Sequence, residues 1–307
     1  MRDDHPPLRV TLFACLAVAG AVSLPAPARA AEPLRVFISV DMEGLGGVVT
    51  GEQLGTSGFE YQRFRERMTD ETNAAIEAAR GAGATKIVVA DSHGNFQNLL
   101  LEKLPADVEV VRGTPRPLGM LQGIDEGFDA VVFVGYHAST TNPEGVRAHT
   151  FSSATLADVR LNGISVTEGA FNAAVASRFG AKVVAVTGDD RAVAEVQSLV
   201  KGIEGAVVKH AYGFHSARVL SPEASRQAIA EAVKRGLARR AEIPIYRIDG
   251  PVELELRFKS YRPAEVLSWL PGARRADAHA VRYTAKDVVE AYRLVNFVLN
   301  FQSALEP

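Results

Sequence analysis

The chain has 307 residues, 47% of them hydrophobic and 23% charged, with a formal net charge of -2. That composition is normal for a soluble globular protein of one large domain or two of ordinary size. No basic stripe stands out, which argues against nucleic-acid binding.

Residues 10–24 form an apolar stretch followed by Pro25-Ala26-Pro27-Ala28-Arg29-Ala30. Ala28-x-Ala30 is a small-residue cleavage pattern, so residues 1–30 read as a signal peptide and the mature protein as periplasmic or secreted. The apolar run is short for a bilayer span, so no membrane span is expected after cleavage. Cys15, the single cysteine, lies within that segment. Any metal site in the mature chain must therefore use His, Asp and Glu, which suits zinc or manganese.

A strand expected over 35–41 runs into Asp41-Met42-Glu43-Gly44. In extended geometry Asp41 and Glu43 share a face, and Gly44, Gly46 and Gly47 then let the backbone turn sharply. A helix over 60–82 ends at Gly81 and Gly83. A strand over 86–90 runs into Asp91-Ser92-His93-Gly94, repeating the two-residue spacing. A helical piece near 97–104, a strand over 108–112 and a short helix around 117–124 precede a strand over 129–136, which delivers His137.

His149 follows a loop containing Pro and Gly, and reads either as a mobile acid–base group or as a surface histidine. Glu168 opens a helix over 168–179, where Thr167 is a candidate cap and the helix dipole favours an acid. A strand over 182–187 and a helix over 190–201 follow, with Asp190 as a candidate N-cap. Lys209, His210 and His215 fall in a polar stretch, where Lys209 is a candidate anion contact.

The texture changes after Ser221. A helix over 222–240, strands over 243–248 and 252–258 turning at Asp249-Gly250, and helices over 263–270 and 285–302 are expected. The fold class is α/β: a mostly parallel sheet flanked by helices over 31–221, with a smaller α+β subdomain over 222–307.

The three hydrophobic strands that end in Asp41/Glu43, Asp91/His93 and His137 carry the chemical signal. Carboxyl ends of parallel strands line one edge of a sheet, where ligands bind. Carboxylates and imidazoles gathered there need a partner, because buried unpaired charge is costly. A divalent cation is the simplest one.

Together these motifs resemble the zinc D-aminopeptidase family. The family signature Ser-x-Asp-x-Glu-Gly is met by Ser39-Val40-Asp41-Met42-Glu43-Gly44. Asp91-Ser92-His93, Gly135-Tyr136-His137-Ala138, the His149 segment and Gly188-Asp189-Asp190-Arg191 look like further family segments in the same order. Glu290-Ala291-Tyr292 resembles the C-terminal end, so the likeness spans roughly residues 34–300. The family's Gly-Glu-x-Gly reads Thr167-Glu168-Gly169-Ala170 here.

The resemblance implies two Zn2+ per chain on Asp41, Glu43, His93, His137 and Glu168; Asp41, at a strand end with a ligand on either side, is the expected bridge. It implies His149 as the catalytic histidine, short peptides with N-terminal D-residues as substrates, and a homo-oligomeric ring. Two competing readings remain at this point. A haloacid-dehalogenase-like phosphatase would use Asp41 as nucleophile and Gly188-Asp189-Asp190 for magnesium, leaving His93, His137 and His149 idle. An exported solute-binding protein would use the same sheet edge without chemistry.

Overall fold

The computed structural model describes residues 1–2 and 33–301, so the expected signal segment, including Cys15, lies almost wholly outside the described residues. Among them no helix is long and apolar enough to cross a membrane. β1 (Leu34–Val40) is a continuous, almost wholly buried apolar run, the pattern of a central strand covered on both faces. α1 (Tyr61–Gly81) turns Tyr61, Phe64, Met68, Ala75 and Ile76 inward at helical spacing. β2 (Ala84–Asp91), β3 (Glu109–Val111) and β4 (Ala130–Val134) follow.

The helical pieces expected near 97–104 and 117–124 shrink to 3-10 turns at Leu101–Lys103, Gly119–Leu121 and Ile124–Glu126. Asp91 takes the Asn98 and Leu99 N–H groups in the first segment, and the positive φ of Gly123 breaks the second. β5 (Leu156–Leu161) and β6 (Ile164–Ser165) form a hairpin before α2 (Glu168–Arg178), β7 (Lys182–Asp189) and α3 (Asp190–Leu199). β8 (Glu204–Gly213), β9 (Ser216–Val219) and α4 (Pro222–Ala238) come next. The chain closes with β10 (Val252–Phe258), α5 (Tyr261–Leu267), β11 (Ala273–Arg275), β12 (Ala280–Ala285) and α6 (Val288–Asn300).

Residues 243–248, expected as a strand, form none. Pro244 has no N–H to give a ladder. The polar stretch around Lys209 is instead the end of β8, which pairs with β7 on one side and β9 on the other.

The larger sheet has the order β3-β2-β1-β4-β7-β8-β9. All its pairs are parallel except β8 with β9. From β1 the chain moves outward through β2 to β3, then returns to β4 on β1's other side and proceeds through β7. The direction of winding thus reverses between β1 and β4, and crevices at such reversals are where open α/β sheets bind ligands. A second, antiparallel sheet runs β11-β12-β10-β5-β6 and so draws on residues 156–165 as well as 252–285.

The reversal is packed backbone against backbone. Gly44 N–H donates to the Gly135 carbonyl at 2.7 Å, and Asp41 N–H to the Val134 carbonyl at 2.8 Å. A Cβ on Gly135 would stand 2.2 Å from the Asp41 carbonyl oxygen, and its φ of +72° already disfavours a side chain. Gly135→Ala is therefore expected to cost about 3 kcal/mol through overlap and left-handed strain. Urea denaturation of the metal-free protein measures it; a loss under about 1 kcal/mol would show that the junction yields.

Candidate metal centre

Asp41 follows β1, His93 follows β2, His137 follows β4 and Glu168 opens α2, so four separate elements deliver side chains to one point. All four are buried, and so is Glu43. The β1 strand stops at Val40 and residues 41–44 turn. Even so, the two carboxylates flank the same imidazole. His93 Nδ1 lies 2.9 Å from Glu43 Oε2 and 3.3 Å from Asp41 Oδ1.

The other Asp41 oxygen faces a second group. His137 Nε2 is 3.3 Å from Asp41 Oδ2 and 3.4 Å from Glu168 Oε1. His149 Nε2 is 3.9 Å from Glu168 Oε1, and its ring stacks on that of His137 at 4.0 Å. Thr167 caps α2 as expected, accepting from Ala170 N–H at 2.9 Å, and this sets the first-turn position of Glu168.

Each histidine is held by a main-chain carbonyl on its outer nitrogen. His93 Nε2 donates to Leu54 O at 2.8 Å, His137 Nδ1 to Ala138 O at 3.0 Å, and His149 Nδ1 to Arg147 O at 2.8 Å. The nitrogen left over in each case is the one aimed inward. Without metal, burial opposes its protonated form in His93 and His137 but the neighbouring carboxylates prevail and favour it, and its lone pair is available only once that proton leaves. Outer carbonyl contacts of this kind hold metal-binding imidazoles and fix their tautomer.

These residues fit a metal on two grounds. Asp41 Oδ2 and His137 Nε2 are buried and make no hydrogen bond, which is costly unless something else satisfies them. Ligand atoms around one tetrahedral zinc, bound at about 2.0–2.1 Å, stand roughly 3.3 Å apart; the Asp41–His93, Asp41–His137 and His137–Glu168 separations have that value within 0.1 Å. Candidate ligand atoms cluster as Asp41, Glu43 and His137, and as His137, His149 and Glu168.

The electrostatics follow from burial and proximity. Burial and the neighbouring Glu43 charge push Asp41 up to about 6. Burial works against ionisation of Glu43 too, but the His93 charge beside it prevails and holds Glu43 well below the carboxylate range. In the same way His137 outweighs burial and lowers Glu168. Burial, then the charge of His137, push His149 below its ordinary value.

Not every strand-end group joins the cluster. Asp91 accepts from Asn98 N–H, Asn98 Nδ2 and Leu99 N–H at 2.5, 2.8 and 2.7 Å, so it holds the loop behind His93. Asp189, not Asp190, caps α3, accepting from Arg191 and Ala192 N–H. His210 and His215 lie apart from the cluster, at Asp190 and Arg147.

Two buried groups depart from the sequence reading: Lys209, expected as an anion contact, has every donor taken by main-chain carbonyls, and Glu71 was not singled out at all. Lys209 is wholly buried and gives its ammonium to main-chain carbonyls of the loop after β1. Glu71, on α1, accepts from Gly46 N–H at 3.0 Å in that same loop. The only sequence signal for Lys209 is its place directly after Val207-Val208 in a run of strand length.

The cluster lies at the base of a 410 Å³ cavity whose walls include Phe96, Phe151, Ser152, Asn296, Leu299 and Asn300. Phe151 N–H donates to Glu168 Oε1 at 2.6 Å. Its ring packs on Phe171 of α2 and Tyr292 of α6 at 5.7 and 5.6 Å. The loop bearing His149 is thereby tied to the ligand helix at one end. At the other end, Arg147 N–H donates to Phe214 O of the β8–β9 hairpin at 3.0 Å.

Comparison with known proteins identifies the family. A family model described as D-aminopeptidase matches residues 34–297. A D-aminopeptidase of Bacillus subtilis (strain 168) is 32% identical over 265 residues, covering 85% of this chain and 94% of the relative. A solved structure described as a Zn-dependent D-aminopeptidase DppA from Bacillus subtilis, a self-compartmentalizing protease, is similar with a TM-score of 0.83. It is 30% identical, and the likeness covers 88% of this chain and 100% of that one.

Proposed function

The chain belongs to the D-aminopeptidase family of hydrolases, and from that premise we propose that it releases N-terminal D-residues such as D-alanine from short peptides, using two zinc ions per chain. The observation that carries the reading is the division of Asp41. Its Oδ1 faces His93, which also meets Glu43, while its Oδ2 faces His137, which also meets Glu168. Asp41, Glu43 and His93 would hold one ion; Asp41, His137 and Glu168 would hold the other. When bound, the ions lower the pKa of a water and polarise the scissile carbonyl.

The chain's own residues do the rest. His149 Nε2, free of any other partner and beside Glu168, is placed to take a proton from the attacking water or give one to the leaving amine. Its Nδ1 bond to Arg147 keeps that nitrogen pointed inward. The substrate's free amino group, a cation, is drawn to the carboxylates at the cavity floor, which limits cleavage to the N-terminal residue. Phe96 and Phe151 give the cavity part of its apolar wall.

The family resemblance and the self-compartmentalizing relative support assembly into a ring. The apolar stretch at 10–24 with Ala28-x-Ala30 supports export, which would put the activity near peptides derived from the cell wall.

The test is metal content of protein starting at Ala31, paired with hydrolysis of the p-nitroanilides of D-Ala and L-Ala. About two zinc per chain with D-selective release is expected. Metal without release would retain the site and reject the substrate class. Neither metal nor release, even after zinc is added, would reject both.

A further inference from the structure

Lys209 carries a charge for which the proposed chemistry has no use, and it sits directly behind the loop that bears Glu43. Its residue is 0% exposed. Its Nζ donates to the carbonyl oxygens of Glu43 at 2.5 Å, Leu45 at 3.0 Å and Val48 at 2.7 Å. A lysine ammonium has three N–H donors and no acceptor. All three are thus spent on the main chain of one short loop, which curls around the nitrogen as carbonyl loops do around a bound cation.

The neighbouring groups complete the arrangement. Gly46, inside that curl, gives its N–H to Glu71 Oε1 on α1. A Cβ on Gly46 would stand 2.4 Å from Ser225 Oγ and 2.9 Å from Glu71 Oε1, so the loop is drawn against its support with no slack. Lys209 is the register partner of Asp189 across β7 and β8, which anchors the stem of the lysine to the sheet.

Burying an ion is unfavourable unless its hydrogen bonds are complete. Here they are complete, and every acceptor belongs to the segment between Glu43 and Val48. An apolar residue in its place would leave carbonyl oxygens unpaired in the interior and release the segment from its path.

We propose that Lys209 is a positioning residue: its ammonium sets the course of the loop after β1 and so holds Glu43, with Asp41 beside it, at metal-binding distance from His93. This rests on the reading of Asp41 and Glu43 as ligands. It adds an internal cation as a determinant of metal affinity, acting through main-chain carbonyls and touching neither metal nor substrate.

The test is zinc affinity of Lys209→Ala, measured by competition with a chromophoric chelator and followed alongside turnover and the circular dichroism spectrum. A folded protein that binds zinc about 10- to 100-fold more weakly is expected, the usual scale for groups that orient ligands. Methylammonium supplies a cation with three N–H donors and should restore both zinc affinity and turnover; tetramethylammonium, with the charge but no donors, should restore neither.

Lys209→Met, which keeps most of the stem and removes the ammonium, should bind zinc as weakly as the alanine variant without rescue. Wild-type zinc binding in both variants would overturn the proposal. So would a loss in Lys209→Ala that methylammonium does not relieve, or failure of both variants to fold, which would make Lys209 a residue of the fold alone. Glu43→Gln is the separate control. Unchanged zinc affinity and stoichiometry there would refute the ligand reading itself, whatever the lysine variants do.

Discussion

Asp41→Asn should yield a folded protein that binds little zinc and shows no measurable peptide hydrolysis. The substitution keeps the shape of the side chain and the oxygen that accepts from Met42 N–H at 2.9 Å. Its new amide group would face His137 Nε2, 3.3 Å away in the native chain, and can donate to a nitrogen that now lacks a partner. One of several crowded buried carboxylates is also removed, so the metal-free fold should be at least as stable as the wild type. In the proposed arrangement Asp41 serves both metal positions, so both should lose affinity together. Elemental analysis after dialysis, with a thermal melt of each metal-free protein, checks the result. Full occupancy of both ions, or loss of one alone, would remove Asp41 as the bridge.

His149→Ala separates proton transfer from metal binding. Here the ions should remain and the rate fall by at least about 100-fold, the ordinary contribution of a general acid–base group. His149 stacks on His137 at 4.0 Å and lies 3.9 Å from Glu168, so a role as a third ligand beside those two is the competing geometry. Metal content of the variant decides between them. Two ions retained with slow turnover fits proton transfer, one ion lost makes His149 a ligand, and near-normal turnover removes it from the mechanism.

The candidate site was legible in the sequence because each of its elements has a local signature. A buried parallel strand reads as an unbroken apolar run, and a polar residue directly after it falls on the ligand-binding edge. That logic found Asp41, His93 and His137, and the Thr167 cap located the helix that carries Glu168. The same logic also points to Asp91, which pairs in register with Val40 rather than Asp41 and whose oxygens are taken by the backbone of its own loop. Strand position says where a side chain starts, not which neighbours claim it.

Lys209 and Glu71 were beyond reach for a different reason. Lysine and glutamate are almost never fully buried, and the partners that permit it here lie 166 and 25 positions away in sequence. The second sheet was only partly readable, because its strands are short and carry charged residues paired across them, as with Glu255 between Arg160 and Arg282. At 243–248 the apolar residues suggest a strand, but Pro244 lacks the N–H that a ladder needs.

The last helix has a practical bearing on how the protein is handled. Asn296, Leu299 and Asn300 of α6 line the cavity, so a tag grafted directly onto the end of this helix would begin beside it. A polyhistidine tag placed there would hold a run of imidazoles beside a cavity built to bind metal, at a high local concentration. It would compete for zinc during loading, inflate the measured metal content and offer nickel from an affinity column a short route inward. Stoichiometry measured on such a protein would describe the tag together with the site, and removing the tag beforehand makes a count of two meaningful.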